Sequence, residues 1–231
     1  MSEPQKTALI VGAGGVVGRA ALDHFTQDPQ WRVIAAARKP PALSAEAIEL
    51  PLDLRDREEC RRRLSEHSDI THVFYTAYLK GASAAEEVAT NLGMLVNLVD
   101  ALETNVPHLQ HINLMHGQKW YGNHLGPYRT PAKEDDPRHM PPNFYYDQQD
   151  FISDRQVGKG WTWSALRPQA PLVASIGSPM NQLLIIGLYG SICRELGVPL
   201  HFPGSMACYN ALYQITDSSL LARSMAWVAT Q

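Results

Sequence analysis

The chain has 231 residues and a mass of 25.7 kDa, which is enough for one large domain or two small ones. Hydrophobic residues make up 45% and charged residues 19%, a balance that excludes a disordered chain. The formal net charge of -3 provides no basic field for a phosphate backbone, so we expect no nucleic-acid partner. The three cysteines form no C-x-x-C pair and the N-terminus has no secretory signal, which predicts a cytoplasmic protein.

The first predicted strand, Thr7–Val11, ends in a glycine-rich turn that opens a helix predicted over residues 16–27. Its glycines fit both G-x-G-x-x-G and G-x-x-G-x-x-G, in the strand-turn-helix context that a dinucleotide site requires. Phosphates would bind at the positive helix end, against free N–H groups. The predicted cofactor residues here are Gly12, Gly15, Val16, Val17 and Gly18. The alternative is a glycine-rich turn that serves chain reversal only.

The second predicted strand, Arg32–Ala37, is followed by Arg38 and Lys39, where an NAD-specific site has an acidic residue. Two cations suit the 2′-phosphate of NADP(H), although a solvated basic loop is the alternative. Asp53 follows a short third strand and could accept a hydrogen bond from an adenine amino group, or it could simply be a cap or turn residue. Leu54, Ala77 and Tyr145 complete the predicted cofactor site.

Strand and helix patterns then alternate along the chain. Further strands are predicted at residues 72–77, 111–115, 161–166 and 200–202. Further helices are predicted at residues 57–67, 84–104, 145–158, 178–196 and 217–229. This alternation predicts an α/β fold with a Rossmann-type, doubly wound parallel sheet. We divide the chain into a cofactor-binding domain, 1–170, and a small substrate-side portion, 171–231.

Two segments stand out from this pattern. Residues 117–143 contain no periodic apolar face, and so long a loop in a compact domain is usually functional, so we interpret it as an active-site loop. The most apolar run, Leu183–Cys193, is too short for a membrane helix, which needs about 20 residues. We therefore expect a buried helix there and no membrane partner.

The catalytic residues must lie beyond the carboxyl ends of the strands. None of the nine tyrosines has a lysine four residues later, which disfavours an ordinary short-chain dehydrogenase with Tyr-x-x-x-Lys. Lys119 follows the predicted strand that ends at Met115, and Tyr145 and Tyr146 open the next helix. The ammonium and one of these phenols could converge on a nicotinamide, where the ammonium would favour phenolate character in the tyrosine.

The sequence resembles the progesterone 5β-reductase/iridoid synthase-like enzymes, a divergent branch of the short-chain dehydrogenases/reductases. The matching strings are His72–Tyr75, Leu109–His111, Gly117–Tyr121, Gly126–Tyr128, Pro142–Tyr146, Gly160–Ser164 and Arg167–Pro168. The resemblance implies that Lys119 and Tyr145 are catalytic. It also implies reduction of activated C=C bonds in enones and enals with NADPH, Tyr145 and Lys119 stabilising the enolate.

Departures from the family pattern fall near the expected substrate pocket. His116 replaces a small hydroxyl residue, and Tyr78 replaces a tryptophan. We expect the substrate-binding residues to be Tyr78, His116, Tyr121 and Tyr128. Family members continue well past the segment that matches Trp227, whereas this sequence ends at Gln231. We expect either that the C-terminal substrate-lid region is missing or that the sequence is a shortened piece of a longer chain.

Other functions have weaker support in the sequence. Gly-x-Ser-x-Gly and His-Glu-x-x-His are both absent, so we expect neither a hydrolase triad nor a metal site. A carbonyl reductase of ketones or aldehydes remains open, because it would use the same residues. A non-catalytic NADP-binding sensor is the rival from another class, and a homodimer is compatible with the sequence.

Overall fold

The computed structural model describes residues 5–40, 47–172 and 181–231. Its strands are β1 (Lys6–Val11), β2 (Trp31–Ala37), β3 (Ala47–Pro51), β4 (His72–Tyr75), β5 (His111–Met115), β6 (Thr162–Leu166), β7 (Pro171–Leu172) and β8 (Thr216–Asp217). Its α-helices are α1 (Val16–Thr26), α2 (Arg57–Leu64), α3 (Ala84–Asn105), α4 (Phe144–Gln156), α5 (Gln182–Glu195), α6 (Met206–Tyr209) and α7 (Ser218–Val228). A 3₁₀ helix, Gln118–Tyr121, follows β5.

The main sheet has six parallel strands in the order β3-β2-β1-β4-β5-β6. This confirms the predicted doubly wound fold. The central strands are buried on both faces, which explains their near-continuous apolar sequences. Strand order reverses between β1 and β4, and a ligand cleft forms beyond the carboxyl ends of strands at such a point.

Helices cover both faces of the sheet and enclose two buried clusters. On one face α1 and α7 pack together, with Phe25, Phe74 and Met225 in a common core. On the other face α2, α3 and α4 surround Leu98, Ile112 and their neighbours. The last helix, α7, thus shares a core with the sheet although it belongs to the C-terminal portion.

The C-terminal segment differs from its prediction in two respects. The predicted strand at residues 200–202 is wrong, because those residues form irregular chain. The predicted helix over the apolar run is confirmed as α5, although residues 178–180 of the prediction lie outside the described residues. Its predicted burial is wrong: among the described residues no other element covers most of the helix, and Cys193 is its only buried residue. The exposed apolar side chains of α5 are Leu183, Leu184, Ile185, Ile186, Leu188 and Ile192.

Within the three described ranges, none of the helices has the length and apolar character needed to cross a membrane.

Candidate functional site

A cavity of about 1130 Å³ lies at the carboxyl edge of the sheet. The glycine-rich turn and the residues after β2 line one end, and the residues after β5 and the start of α4 line the other. The predicted site residues on its wall are Gly12, Gly15, Val16, Val17, Arg38, Lys39, Asp53, Leu54, Ala77, Tyr78, His116, Lys119 and Tyr145. The fold therefore gathers residues that are far apart in sequence into one site.

The glycine-rich turn is shaped by close backbone packing at two of its glycines. Gly12 has φ +86, and a Cβ there would lie 2.8 Å from the Ala77 nitrogen. A Cβ on Gly18 would lie 2.2 Å from the Gly12 oxygen, so this glycine permits helix–turn packing and does not line the cavity. A Cβ on Gly15 would make only an ordinary 3.4 Å contact. Close approach by a ligand is therefore the better reason for glycine at position 15.

The N-terminus of α1 opens onto the same end of the cavity. Its N-cap residue, Gly15, provides no side-chain cap, and no acidic residue lies in its first turn. The first N–H groups of a helix have no partner within the helix. Val16 and Val17 carry two of these groups on the cavity wall. This arrangement suits a diphosphate.

Two exposed cations and one carboxylate surround the end of the cavity beyond β2. Arg38 and Lys39 lie on its wall directly after that strand. Asp53 accepts hydrogen bonds from the backbone nitrogen and the Nε of Arg55, each at 3.0 Å. The side chain of Arg55 is the main reason that the pKa of Asp53 falls to about 2. Asp53 is thus an anion whose orientation is fixed by Arg55, and Arg38 and Lys39 are available to a ligand phosphate.

Lys119 and Tyr145 lie at the opposite end, joined by the side chain of Asn143. The Asn143 Nδ2 donates to the Lys119 carbonyl oxygen at 2.8 Å, and its Oδ1 accepts from the Tyr145 backbone nitrogen at 3.2 Å. Asn143 is the N-cap of α4, a position that this residue type favours. One capping residue therefore fixes the backbones of both predicted catalytic residues.

The surroundings of Tyr145 favour its protonated form. Burial raises the pKa of its phenol, and the neighbouring Tyr78 and Glu87 raise it further. The sequence predicted phenolate character, but at neutral pH the group is a phenol that can donate a hydrogen bond. Gly117 gives this phenol room, because a Cβ there would lie 3.2 Å from the Tyr145 hydroxyl.

Lys119 forms an ion pair that has no sequence signature. Its Nζ lies 3.7 Å from Oε1 of Glu87, in the first turn of α3, and 6.0 Å from the centre of the Tyr78 ring. Burial, together with the charge and hydrogen bond of Glu87, raises the pKa of Tyr78 to about 12. Because the pair joins elements distant in the chain, only tertiary structure shows that Glu87 belongs to the site.

His116 lies between the rings of Tyr145 and Trp120. The His116 ring centre lies 4.7 Å from that of Tyr145 and 6.0 Å from that of Trp120. Only 3% of the residue is exposed. Burial and the charge of Arg167 lower the pKa of the imidazole to about 3, so it is neutral at physiological pH. Its ring nitrogens have no hydrogen-bond partner among the described residues.

Two of the expected substrate residues lie outside the lining of the cavity. Tyr121 and Tyr128 stack on each other with ring centres 5.9 Å apart. The Tyr121 hydroxyl accepts a hydrogen bond from Arg167 at 3.0 Å. Conversely, Gln182 and Tyr213 line the cavity from the C-terminal segment, and the sequence analysis did not single them out.

Tyr146, the neighbour of Tyr145, is engaged elsewhere. Its hydroxyl donates to the Trp120 carbonyl oxygen at 2.5 Å and accepts from the His139 backbone nitrogen at 2.8 Å. Only the first tyrosine of the pair therefore lines the cavity.

Comparison with solved structures shows the fold. The chain superposes on UDP-glucose 4-epimerase from Thermotoga maritima with a TM-score of 0.77, at 15% identity, over 96% of this chain and 72% of that one. The Bifidobacterium longum UDP-glucose 4-epimerase, in complex with NAD+ and UDP, gives a TM-score of 0.74 at 19% identity, over 96% of this chain and 73% of that one.

Sequence comparison gives the family. The chain is 33% identical to 3-oxo-Delta(4,5)-steroid 5-beta-reductase of Arabidopsis thaliana, over 97% of this chain and 61% of the relative. It is 31% identical to (S)-8-oxocitronellyl enol synthase of Antirrhinum majus, over 98% of this chain and 61% of the relative. The chain thus spans about three fifths of the length of these relatives. Residues 8–230 match the PRISE-like Rossmann-fold domain, and the chain belongs to that family.

Proposed function

We propose that this protein is an NADPH-dependent reductase of activated C=C bonds in enones and enals. The observation that carries the proposal is the pairing of a phenol donor, Tyr145, with the glycine-rich turn in one cavity. Two relatives with about 30% identity support it, since one is named a steroid 5-beta-reductase and the other an oxocitronellyl enol synthase.

The cofactor part of the proposal rests on both ends of the dinucleotide site. The uncapped N-terminus of α1 and the space left by Gly15 fit the diphosphate. Arg38 and Lys39 fit a 2′-phosphate, since a guanidinium can bind phosphate with two parallel hydrogen bonds. Together these groups favour NADPH over NADH.

The chemical part of the proposal assigns the activation of the substrate to Tyr145. NADPH, when bound, supplies the hydride that adds to the β-carbon of the substrate. The Tyr145 phenol donates a hydrogen bond to the carbonyl oxygen, where negative charge develops as the enolate forms. The enolate then gains a proton from water at its α-carbon, which gives the saturated carbonyl product. Lys119 supports this end of the site with its positive charge. Tyr78 and His116, on the cavity wall, shape the space for the substrate.

Product analysis tests the proposal directly. The protein is incubated with NADPH or NADH and a panel of enones, enals, ketones and aldehydes, and the reduced bond is identified by NMR. Saturated carbonyl products, formed faster with NADPH, are expected. Allylic alcohols would instead indicate a carbonyl reductase, and cofactor binding without turnover would indicate an NADP-binding sensor.

A further inference from the structure

The C-terminal segment, residues 182–215, meets the cavity at two polar residues. The segment lies between β7 and β8, which pair in parallel, so the chain enters and leaves this region at adjacent points. Most of the large apolar side chains in this fully described stretch are exposed to solvent. The residues of the stretch that line the cavity are instead Gln182 and Tyr213.

Gln182 and Tyr213 form a pair although they are 31 residues apart in sequence. The Tyr213 hydroxyl donates to the Gln182 Oε1 at 3.0 Å. This bond uses the hydroxyl proton, so the Tyr213 oxygen can still accept a hydrogen bond. The Gln182 Nε2 has no hydrogen-bond partner among the described residues. The pair therefore presents a donor and an acceptor side by side.

A second contact holds this pair close to the catalytic end of the cavity. Gln118 Nε2 donates to the Oε1 of Gln214, the residue after Tyr213, at 3.2 Å. Gln118 directly precedes Lys119, and both line the cavity. No charged side chain from residues 182–215 lies on the cavity wall. This part of the wall thus offers hydrogen bonds without charge.

We propose that Gln182 and Tyr213 are specificity-determining residues that bind a hydroxyl group of the substrate, remote from the carbonyl group that Tyr145 binds. A hydroxyl fits both groups of the pair, because it can accept from the Gln182 Nε2 and donate to the Tyr213 oxygen. A carbonyl or ether oxygen could only accept, and a carboxylate would find no cation on this part of the wall. The proposal rests on the proposed function and names its substrates as hydroxylated enones and enals.

The test is ligand binding to the protein saturated with NADP+, which cannot deliver a hydride. The probes are saturated methyl ketones of three chain lengths, each ending in a hydroxyl, a methoxy or a plain methyl group. Isothermal titration calorimetry gives the Kd of each ketone. At the best chain length, the hydroxyl ketone should bind roughly 5- to 30-fold more tightly than the other two, because only the hydroxyl forms both hydrogen bonds.

Two variants and a matched control make the test specific. Gln182→Leu and Tyr213→Phe each remove one hydrogen-bonding group, so each should reduce the hydroxyl preference to no more than about 3-fold, and the double variant should abolish it. Tyr209→Phe should keep the wild-type preference, because Tyr209 is an exposed tyrosine of the same segment and lies outside the cavity lining.

Two results would overturn the proposal. One is a wild-type protein that binds the hydroxyl ketones no better than the methyl ketones, a result that needs no variant to fold. The other is a hydroxyl preference that persists in the double variant, because another group would then bind the hydroxyl. The proposed function fails separately, if no C=C bond of an enone or enal is reduced.

Discussion

The sheet and helix α5 are both rich in aliphatic residues, yet they differ in what covers them. Ile112 on β5 has 0% of its surface exposed, whereas Ile186 on α5 has 56% exposed. Helices pack on both faces of the sheet, but most of α5 has no neighbouring element in the described structure. The comparison shows that an apolar sequence predicts regular structure, whereas burial depends on which elements pack against it.

The largest expected difference between the two regions is in stability. Ile112→Ala should lower the free energy of unfolding by about 2–5 kcal/mol, because it removes buried methyl groups and leaves a cavity in the core. Urea denaturation followed by circular dichroism measures the effect. A loss below about 1 kcal/mol would contradict the tight packing of this cluster.

Catalysis should depend on the cavity at the carboxyl edge of the sheet and not on C-terminal side chains that lie outside it. Tyr145→Phe preserves the ring and removes one donor, so kcat should fall roughly 10²–10³-fold, while NADPH affinity changes little. Tyr209→Phe is the matched control on the C-terminal segment, because Tyr209 is exposed and lies outside the cavity lining. Steady-state kinetics on the best enone substrate compares the two, and equal losses would remove Tyr145 from its assigned role.

Replacing Arg38, which directly follows β2, should weaken the preference for NADPH over NADH. Arg38→Ala removes a charge-assisted contact worth about 1.5–3 kcal/mol, so the Kd of NADPH should rise roughly 10- to 150-fold. The Kd of NADH, which has no 2′-phosphate, should hardly change. Fluorescence titration measures the Kd of each cofactor. Arg194→Ala is the control, because Arg194 is an exposed arginine on α5. An equal effect on NADH and NADPH would argue against a 2′-phosphate site.

The smallest effect is expected on α5. Ile186→Ala removes the same atoms as Ile112→Ala, but from a side chain that is already largely in water. It should change the free energy of unfolding by less than about 0.5 kcal/mol. The same urea titration gives the value, and a loss as large as that of Ile112→Ala would show that Ile186 is covered in solution.

Most of the sheet could be predicted from the sequence because its strands are short apolar runs with clear turn signals between them. The two-residue strands β7 and β8 and the four-residue helix α6 are too short to show a period. The error at residues 200–202 has the same origin, since three residues carry no periodic pattern that separates strand from irregular chain.

The site was predictable where its residues follow a local motif. The spacing from Gly12 to Gly18 and the two cations after β2 are visible in the sequence. Lys119 and Tyr145 were candidates from their positions after a strand and at a helix start, and the family resemblance assigned their catalytic roles. Glu87 was missed because its ion pair depends on how α3 approaches the 3₁₀ helix. The sequence likewise does not show what surrounds the Tyr145 phenol, whose pKa is raised by burial, by Tyr78 and by Glu87.

The hydrogen bonds from Asn143 and Tyr146 to the 3₁₀ helix have a consequence for the loop between them. They tie the two ends of this loop, residues 122–142, together at its base. These hydrogen bonds hold Lys119 and Tyr145 in place, so their positions should not depend on the sequence or length of the loop. A graft that keeps Gly122, the left-handed C-cap of the 3₁₀ helix, and exchanges residues 123–138 for another sequence should therefore leave Lys119 and Tyr145 in register. Substrate preference could then diverge while the reaction chemistry is preserved.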